Sequence, residues 1–217
     1  AQPDDLESLR MDPEGLGDAV ELINPMNSDQ SVLRRSIIPG LLRSVAHNQA
    51  DGVKNIQLYE IGETFHAADG RQLPKERTRI AGVMVGAMGD AGWNVAPQPF
   101  AFFDGKGVIE SLVRALAIPK LRFKALSADE APHLQPGRAA QVLSGGTVLG
   151  WVGELHPLAC AAYDAQAPVV AFELDVEALA KVCRPARDQP HLPTFQAVFI
   201  DPDLVVAADV KKEGVRK

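Results

Sequence analysis

The chain has 217 residues, of which 46% are hydrophobic and 23% are charged, a composition typical of a folded globular protein. Its formal net charge is −6, from 22 Lys and Arg against 28 Asp and Glu, which excludes a globally basic surface for nucleic acid. Only Cys160 and Cys183 are present, without C-x-x-C spacing, and no apolar run approaches the ~20 residues that cross a bilayer. We therefore expect a soluble, cytoplasmic protein with reduced thiols.

The first part of the chain is polar and is interrupted by Gly and Pro, which predicts an N-terminal extension over residues 1–18. Residues 19–23 form the first predicted strand, and Asn24-Pro25 ends it. We expect the folded part to begin there. Because the chain does not start with Met, we also expect it to be a processed or excised piece of a longer protein.

The next stretch predicts the strongest helix of the chain. Ser36 is a favourable N-cap and Pro39 fits the first turn, so the helix should begin near Ile37. Its apolar residues recur at helical spacing and form one stripe, which consists of Ile37, Ile38, Leu41, Leu42 and Val45. This pattern predicts that one face of the helix is buried.

A turn and a strand should follow this helix. Asp51-Gly52 is typical of a helix end, and residues 56–61 are rich in strand-forming side chains up to Gly62. Glu60 is the conspicuous charge on this otherwise apolar strand. If its carboxylate is buried, it needs a cation or an amide as a partner.

The middle of the chain predicts further strands and a second helix. Residues 78–88 are apolar and short enough for a buried strand. Asp104 is the predicted N-cap of an amphipathic helix over residues 108–116. Residues 120–126 alternate between apolar and basic side chains, as in a strand with one solvated face, and residues 141–152 predict a hairpin turned by glycines.

The last part predicts one more buried strand and then a boundary. Residues 169–174 form the strand, and Asp175 can cap a short helix after it. Residues 183–194 contain three prolines and no period, which indicates a linker. Two short strands are predicted at 195–200 and 204–207, but they are too few to bury a core of their own.

Four blocks of residues in a fixed order carry a family resemblance. They read Asn24-Pro25 with Leu33-Arg34-Arg35-Ser36-Ile37-Ile38-Pro39-Gly40-Leu41-Leu42 and Tyr59-Glu60-Ile61-Gly62; Phe102-Phe103-Asp104-Gly105-Lys106-Gly107; His133-x-x-Pro136-Gly137-Arg138 with Gly153-Glu154-Leu155-His156-Pro157; and Phe172-Glu173-Leu174-Asp175. With these blocks the chain resembles the beta subunit of bacterial phenylalanyl-tRNA synthetase.

The resemblance implies an α+β fold of the class II aminoacyl-tRNA synthetase kind, in which helices flank an antiparallel sheet. It implies a catalytic-like module over residues 19–183, a linker over 184–194 and a truncated start of a ferredoxin-like anticodon-binding domain over 195–217. Residues 195–204 depart from the family's F-P-x-V-x-R-D-L, which leaves the register of that last part open.

The residues expected for catalysis are missing from the corresponding places. Class II enzymes carry an arginine that binds the ATP α-phosphate after a strand phenylalanine, whereas this chain has His66 after Phe65. A guanidinium is always charged and clamps phosphate with two donors, and a neutral imidazole does not. The later arginine expected near residues 172–176 is also absent. We therefore expect no catalysis from this chain alone.

The resemblance further implies a role and partners. The expected role is a non-catalytic scaffold that packs on the alpha subunit of an α2β2 heterotetrameric ligase, which aminoacylates tRNA(Phe) with ATP and Mg²⁺. We expect no cofactor in this chain itself. Two alternatives stay open: an active ligase domain, and a free-standing RNA- or protein-binding module of class II ancestry.

Several polar residues of the four blocks are candidate interface or structural residues. Arg34 and Arg35 precede the helix, where they could clamp an anion or form a buried ion pair that orients it. Asp104 and Lys106 could cross an interface, or could serve as a cap and an i,i+4 pair with Glu110. The remaining candidates are Glu60, Arg138, Glu154 and His156. The scattered histidines indicate no metal site, and no phosphate-binding loop is present.

Overall fold

A six-stranded antiparallel sheet organises the described part of the chain. The computed structural model describes residues 1–11, 18–27, 30–68, 73–89, 93 and 96–184. The strands are β1 Ile56–His66, β2 Lys75–Val85, β3 Ala87–Met88, β4 Gln98–Pro99, β5 Leu121–Ala125, β6 Leu134–Ser144, β7 Thr147–Leu155 and β8 Val169–Asp175. The helices are α1 Asp5–Ser8, α2 Ile38–Ala50, α3 Phe102–Ala115, α4 Pro157–Ala162 and α5 Val176–Val182.

The sheet has six strands in the order β1-β2-β8-β7-β6-β5, and each neighbouring pair is antiparallel. β1 is therefore an edge strand, and it pairs with β2 along its whole length, from Ile56 opposite Val85 to His66 opposite Lys75. The predicted α+β class with an antiparallel sheet and flanking helices is confirmed. The short strands β3 and β4 pair separately.

Helices cover both faces of the sheet. α2, α4 and the N-terminal segment pack on one face, the α2 face, whereas α3 and α5 pack on the other, the α3 face. Alternate residues of β8 serve the two cores: Ala171 belongs to the α2 face, and Phe172 and Leu174 belong to the α3 face. This double burial explains why β8 is almost continuously apolar.

The predicted apolar stripe of α2 is confirmed, because all five of its residues are buried in the core of the α2 face. The helix begins one residue later than predicted, at Ile38. Ser36 does not occupy the cap position, although its Oγ accepts a hydrogen bond from the Ile38 amide at 3.2 Å. The Ser36 hydroxyl donates its own proton to Glu173. Ser36 therefore joins the start of the helix to a distant strand as well as accepting from the first turn.

Strand β1 is longer than the sequence predicts, because it runs through Gly62 to His66. Gly62 does not end the strand but lets another side chain cross it: a Cβ at this position would overlap Arg34 Nη2. A glycine in a strand interior often marks such a close approach of another group.

The N-terminal segment differs most from the prediction. Leu6 and Leu9 are buried, and Asp5 is buried beside Arg43 and Tyr163, whose hydroxyl donates to the Asp5 backbone oxygen at 2.7 Å. Packing therefore begins well before residue 19. The strand predicted at residues 19–23 is wrong, since only an isolated bridge joins Glu21 to Val32.

Helix α3 also begins earlier than predicted, at Phe102, with Ala101 at the cap. Asp104 lies in the first turn, and its Oδ2 accepts a hydrogen bond from the Ala101 amide at 2.8 Å. The prediction of Asp104 as N-cap is thus wrong by three positions, although its carboxylate still pairs with a first-turn amide.

Other local predictions are confirmed. The hairpin of β6 and β7 turns at Gly145, which has a φ of +61°. Asp175 caps α5 by accepting a hydrogen bond from the Ala178 amide at 2.9 Å. The described residues belong to one compact unit. The linker and the two strands predicted over residues 185–217 lie outside the described residues, and that boundary stays a prediction.

Candidate partner interface and its polar contacts

Arg34 ties the segment before α2 to the outer edge of β1. Its Nη1 lies 2.6 Å from Glu60 Oε1, and its Nε donates to the backbone oxygen of Glu63 at 2.8 Å. Its own backbone oxygen accepts from the Phe65 amide at 2.8 Å. Both charged side chains are about one-third exposed. Of the two alternatives for Arg34, the contacts fit an orienting ion pair, at the surface and not buried.

Glu60, the conspicuous charge on β1, thus has a cation partner although its carboxylate is not buried. Gly62 makes room for this partner, because the Arg34 guanidinium crosses β1 where a side chain would otherwise stand. Arg35, the second predicted arginine, is partly buried and has an interaction of its own.

A buried polar contact lies two residues further on. Ser36 Oγ donates to Glu173 Oε2 at 2.6 Å, and both residues are buried on the α2 face. Burial raises the pKa of Glu173, although the Ser36 hydroxyl, the Arg79 charge and the Ile37 amide oppose this shift. The contact joins the start of α2 to the centre of the sheet.

Sequence analysis missed this contact, because the two partners are 137 positions apart. A signal was present, however. Glu173 is a charge in an apolar strand, as Glu60 is, and the same argument that demanded a partner for Glu60 also applies to Glu173.

The end of β8 carries another ion pair, which joins two neighbouring strands. Arg79 Nη2 lies 3.6 Å from Asp175 Oδ2, and the two residues are directly opposite in the register of β2 and β8. Both side chains are about four-fifths buried. Asp175 therefore serves the ion pair and the cap of α5 at once.

Glu154 organises the start of α3. This buried carboxylate accepts from Arg138 Nη1 at 2.6 Å with one oxygen and from the Phe102 amide at 3.2 Å with the other. An acceptor at the first amides of a helix satisfies groups that have no partner within the helix. Arg138 and Glu154, predicted as candidates from one block, are thus brought together in a structural contact.

Lys106 and Glu110 form the predicted i,i+4 pair, with 2.6 Å between Nζ and Oε1. The Lys106 ammonium also lies 5.1 Å from the centre of the Phe123 ring. These contacts lie within one chain, so they account for both residues without an interface.

His156 caps α4. Its Nδ1 accepts a hydrogen bond from the Leu158 amide at 3.2 Å, and Arg10 Nη1 lies 2.8 Å from the same nitrogen. Burial and the Arg10 charge lower the pKa of His156. A lowered pKa favours the neutral ring, which suits its role as an acceptor.

In the place expected for the phosphate-binding arginine, the chain has a buried histidine. His66 is only 8% exposed, and its Nε2 lies 3.2 Å from Thr64 Oγ1. A second histidine, His133 of the third block, is also buried, and it packs edge-on against Trp151 with 4.8 Å between ring centres. Neither ring nitrogen of His133 has a hydrogen-bond partner among the described residues, and burial lowers its pKa to about 4.

Two surfaces carry large exposed apolar side chains. The first, here called the loop surface, consists of Leu22, Ile23 and Met26, of which Ile23 is 97% exposed and Met26 is 96% exposed. The second, called the edge surface, consists of Tyr59 and Ile61 of β1 with Val108 of α3. Paired or clustered exposed apolar residues indicate binding surfaces more strongly than isolated ones do.

In residues 1–11, 18–27, 30–68, 73–89, 93 and 96–184, no helix is long and apolar enough to traverse a bilayer. Within the same residues, no cluster of three His, Cys, Asp or Glu side chains has the arrangement of a metal site.

Comparison with known families identifies the chain's relationship. Residues 1–176 match the family model described as the phenylalanyl tRNA synthetase beta chain CLM domain. The chain belongs to this family. The match covers α1 through the start of α5, which is nearly the whole described structure.

Individual relatives support the same family assignment. The chain is 34% identical over 198 residues to the phenylalanine-tRNA ligase beta subunit of Lactiplantibacillus plantarum, 38% over 197 residues to that of Moorella thermoacetica and 37% over 205 residues to that of Listeria innocua. These matches cover 90–91% of the chain but only 24–25% of each relative. The chain thus spans about a quarter of the length of these relatives.

Proposed function

We propose that the chain is a non-catalytic scaffold module of a phenylalanine-tRNA ligase beta subunit, and that it packs on the alpha subunit. Membership of the beta chain family supports the assignment to this enzyme. The antiparallel sheet flanked by helices supports a class II synthetase-like ancestry for the module. Fold alone does not fix function, so the argument rests on particular residues.

The observation that carries the proposal is that a buried residue other than arginine stands in each of the two places expected to bind phosphate. His66 stands where an arginine is expected, and it is buried beside Thr64. In the other place Glu173 is buried against Ser36 under the start of α2, and its carboxyl offers no positive charge to a phosphate. The residues present therefore do not fit ATP with Mg²⁺.

The loop surface supports the second half of the proposal. Ile23 and Met26 present nearly their entire side chains to solvent on a segment that carries no strand or helix. Permanent subunit contacts are rich in such apolar anchors. An alpha subunit that covers this surface would remove the cost of exposing it.

The whole enzyme is proposed to be an α2β2 heterotetramer of the cytoplasm that uses ATP and Mg²⁺ to join phenylalanine to tRNA(Phe). In this arrangement the catalytic chemistry belongs to the alpha subunit. The present chain contributes a rigid face, and its net charge of −6 gives no general attraction to tRNA.

A binding experiment tests the proposal. The purified chain is mixed with the cognate alpha subunit, and separately with tRNA(Phe), on a sizing column. We expect co-elution with the alpha subunit and only weak, salt-sensitive retention of tRNA. The double variant Ile23→Asp with Met26→Asp should weaken the complex at least tenfold, since buried apolar anchors carry much of an interface's energy.

The control is Leu158→Asp, which places one such charge on another exposed apolar residue, in α4, and is compared with Ile23→Asp alone as well as with the double variant. This control should bind like the wild type. Tight tRNA binding with no alpha-subunit complex would replace the scaffold proposal with the alternative of an RNA-binding module.

A further inference from the structure

The short helix α4 holds the N-terminal segment, residues 1–11, from both of its ends. At the C-terminal end of α4, the Tyr163 hydroxyl donates to the backbone oxygen of Asp5 at 2.7 Å. At the N-terminal end, the capping residue His156 meets the side chain of Arg10. Leu9, which lies between the two contacts in the segment, is fully buried in the core of the α2 face.

The contact at His156 depends on an unprotonated ring nitrogen. Nδ1 accepts a hydrogen bond from the Leu158 amide at 3.2 Å, so the neutral ring carries its hydrogen on Nε2. Arg10 Nη1 lies 2.8 Å from Nδ1 and 3.1 Å from Nε2. A second proton, on Nδ1, would remove the acceptor of the Leu158 amide and would bring two positive charges into direct contact.

The surroundings of His156 do not compensate for such a proton. Glu154, two residues earlier in the chain, is paired with Arg138. His133 accepts from the His156 amide through its backbone oxygen, and its own ring is uncharged above a pKa of about 4. Within the part of the chain that the structure describes, no carboxylate lies within ion-pair distance of the His156 ring.

The backbone of Arg10 gives a second, independent indication. Its φ is +62°, in the left-handed region that residues other than glycine rarely adopt. Such a conformation persists where neighbouring contacts hold it in place. The contact with His156 is one of these, so its loss favours a departure of Arg10 from this conformation.

We propose that His156 and Arg10 form an acid-sensitive latch, in which protonation of His156 releases the end of the N-terminal segment around Arg10 from α4. Release leaves the sheet and α2 in place and uncovers Leu9. The latch is a property of this chain alone, and it does not depend on the proposed function.

The direction of the pH dependence follows from the pKa of His156. Burial and the Arg10 charge lower this pKa from its ordinary value of about 6.5. The released form therefore binds the proton more readily than the latched form, and the latch opens as the pH falls below about 6.5. Burial raises the pKa of Tyr163, so its hydroxyl stays protonated in this range and continues to hold Asp5.

Amide hydrogen exchange of the 217-residue chain at about pH 7.5 and pH 5.5, corrected for the intrinsic effect of pH, tests the latch. The control is His156→Asn, since asparagine is a favourable N-cap that keeps an acceptor oxygen and does not titrate. At the lower pH, we expect the Arg10 and Met11 amides to be protected at least about fivefold less in the wild type than in this variant. At the higher pH the two proteins should agree.

The amides of β8 separate the latch from a general loss of stability in acid, such as the one expected from His133. They should be protected equally in the wild type and in His156→Asn at each pH. If they differed as much as the Arg10 and Met11 amides, or if His156→Asn responded to acid as the wild type does, the latch would be contradicted.

A second variant tests the role of the Arg10 charge without depending on the fold of His156→Asn. Arg10→Gln removes the charge, so the pKa of His156 measured by NMR titration of its ring should rise towards its ordinary value. An unchanged pKa would show that the guanidinium does not act on the ring, and it would overturn the inference. Thermal melting at about pH 7.5 checks that each variant is folded.

Discussion

The two faces of β1 and β2 differ in how completely they are covered. On the α2 face, the stripe of α2 packs into a closed core in which Ile38 and Leu42 are fully buried. On the α3 face near the sheet edge, Tyr59 and Ile61 remain exposed beside an open recess. The difference indicates that the α2 face holds the fold together, whereas the edge of the α3 face is available for contact.

The largest expected effect is on the closed face. Leu41→Ala removes a buried side chain from the middle of the α2 stripe and should lower the free energy of unfolding by about 2–5 kcal/mol. Ile61→Ala, the matched truncation on the open face, should change it by only about 0.5 kcal/mol. Chemical denaturation measures both. Equal losses would mean that the two faces are covered alike.

The second effect is a pH dependence that comes from His133. Burial lowers the pKa of His133 in the folded chain to about 4, whereas in the unfolded chain it has its ordinary value of about 6.5. Between these two pH values the unfolded chain therefore binds a proton that the folded chain does not. Stability should therefore fall as the pH falls from about 6.5 towards 4, by up to about 3 kcal/mol. His133→Phe should flatten this part of the pH profile. If the pH profile of His133→Phe matched that of the wild type, the ring would not be the buried, unpartnered group described here.

A smaller loss is expected at the contact between α2 and the centre of the sheet. Ser36→Ala removes the hydroxyl that donates to Glu173 and leaves a buried carboxyl without this donor. The expected loss is about 1–3 kcal/mol, because a buried polar group that loses its partner retains its desolvation cost. Ser44→Ala, at an exposed position of α2, is the control. Similar melting temperatures for both variants would argue against the buried contact.

The smallest effect is expected where Arg34 meets Glu60 at the surface. Both side chains are about one-third exposed, so Glu60→Gln should cost only about 0–1 kcal/mol. The loss should shrink further in high salt, because salt screens exposed charges. A larger loss of stability that does not depend on salt would mean that the ion pair is buried, which was one of the two alternatives that the sequence left open for Arg34.

Local patterns in the sequence predicted much of this architecture. Helical spacing found the α2 stripe, and paired glycines found the hairpin of β6 and β7, since both signals depend on residues close together in the chain. The four blocks also found Arg138 and Glu154, 16 positions apart.

Features set by distant residues were not predicted. Leu9 is buried because it packs with residues of α2 and α4, although the N-terminal segment is polar in its sequence. Gly62 lies inside a strand because Arg34, 28 positions earlier in the chain, crosses it there. In both cases tertiary packing overrides a correct local preference.

Calorimetry with ATP and Mg²⁺ tests the central claim most directly, namely that the chain has kept a packing module and not a catalytic cleft. With His66 and Glu173 buried in the two expected phosphate-binding places, the account predicts no measurable heat of binding and no activation of phenylalanine by the chain alone. Micromolar affinity for ATP would contradict it and would favour the alternative of an active ligase domain.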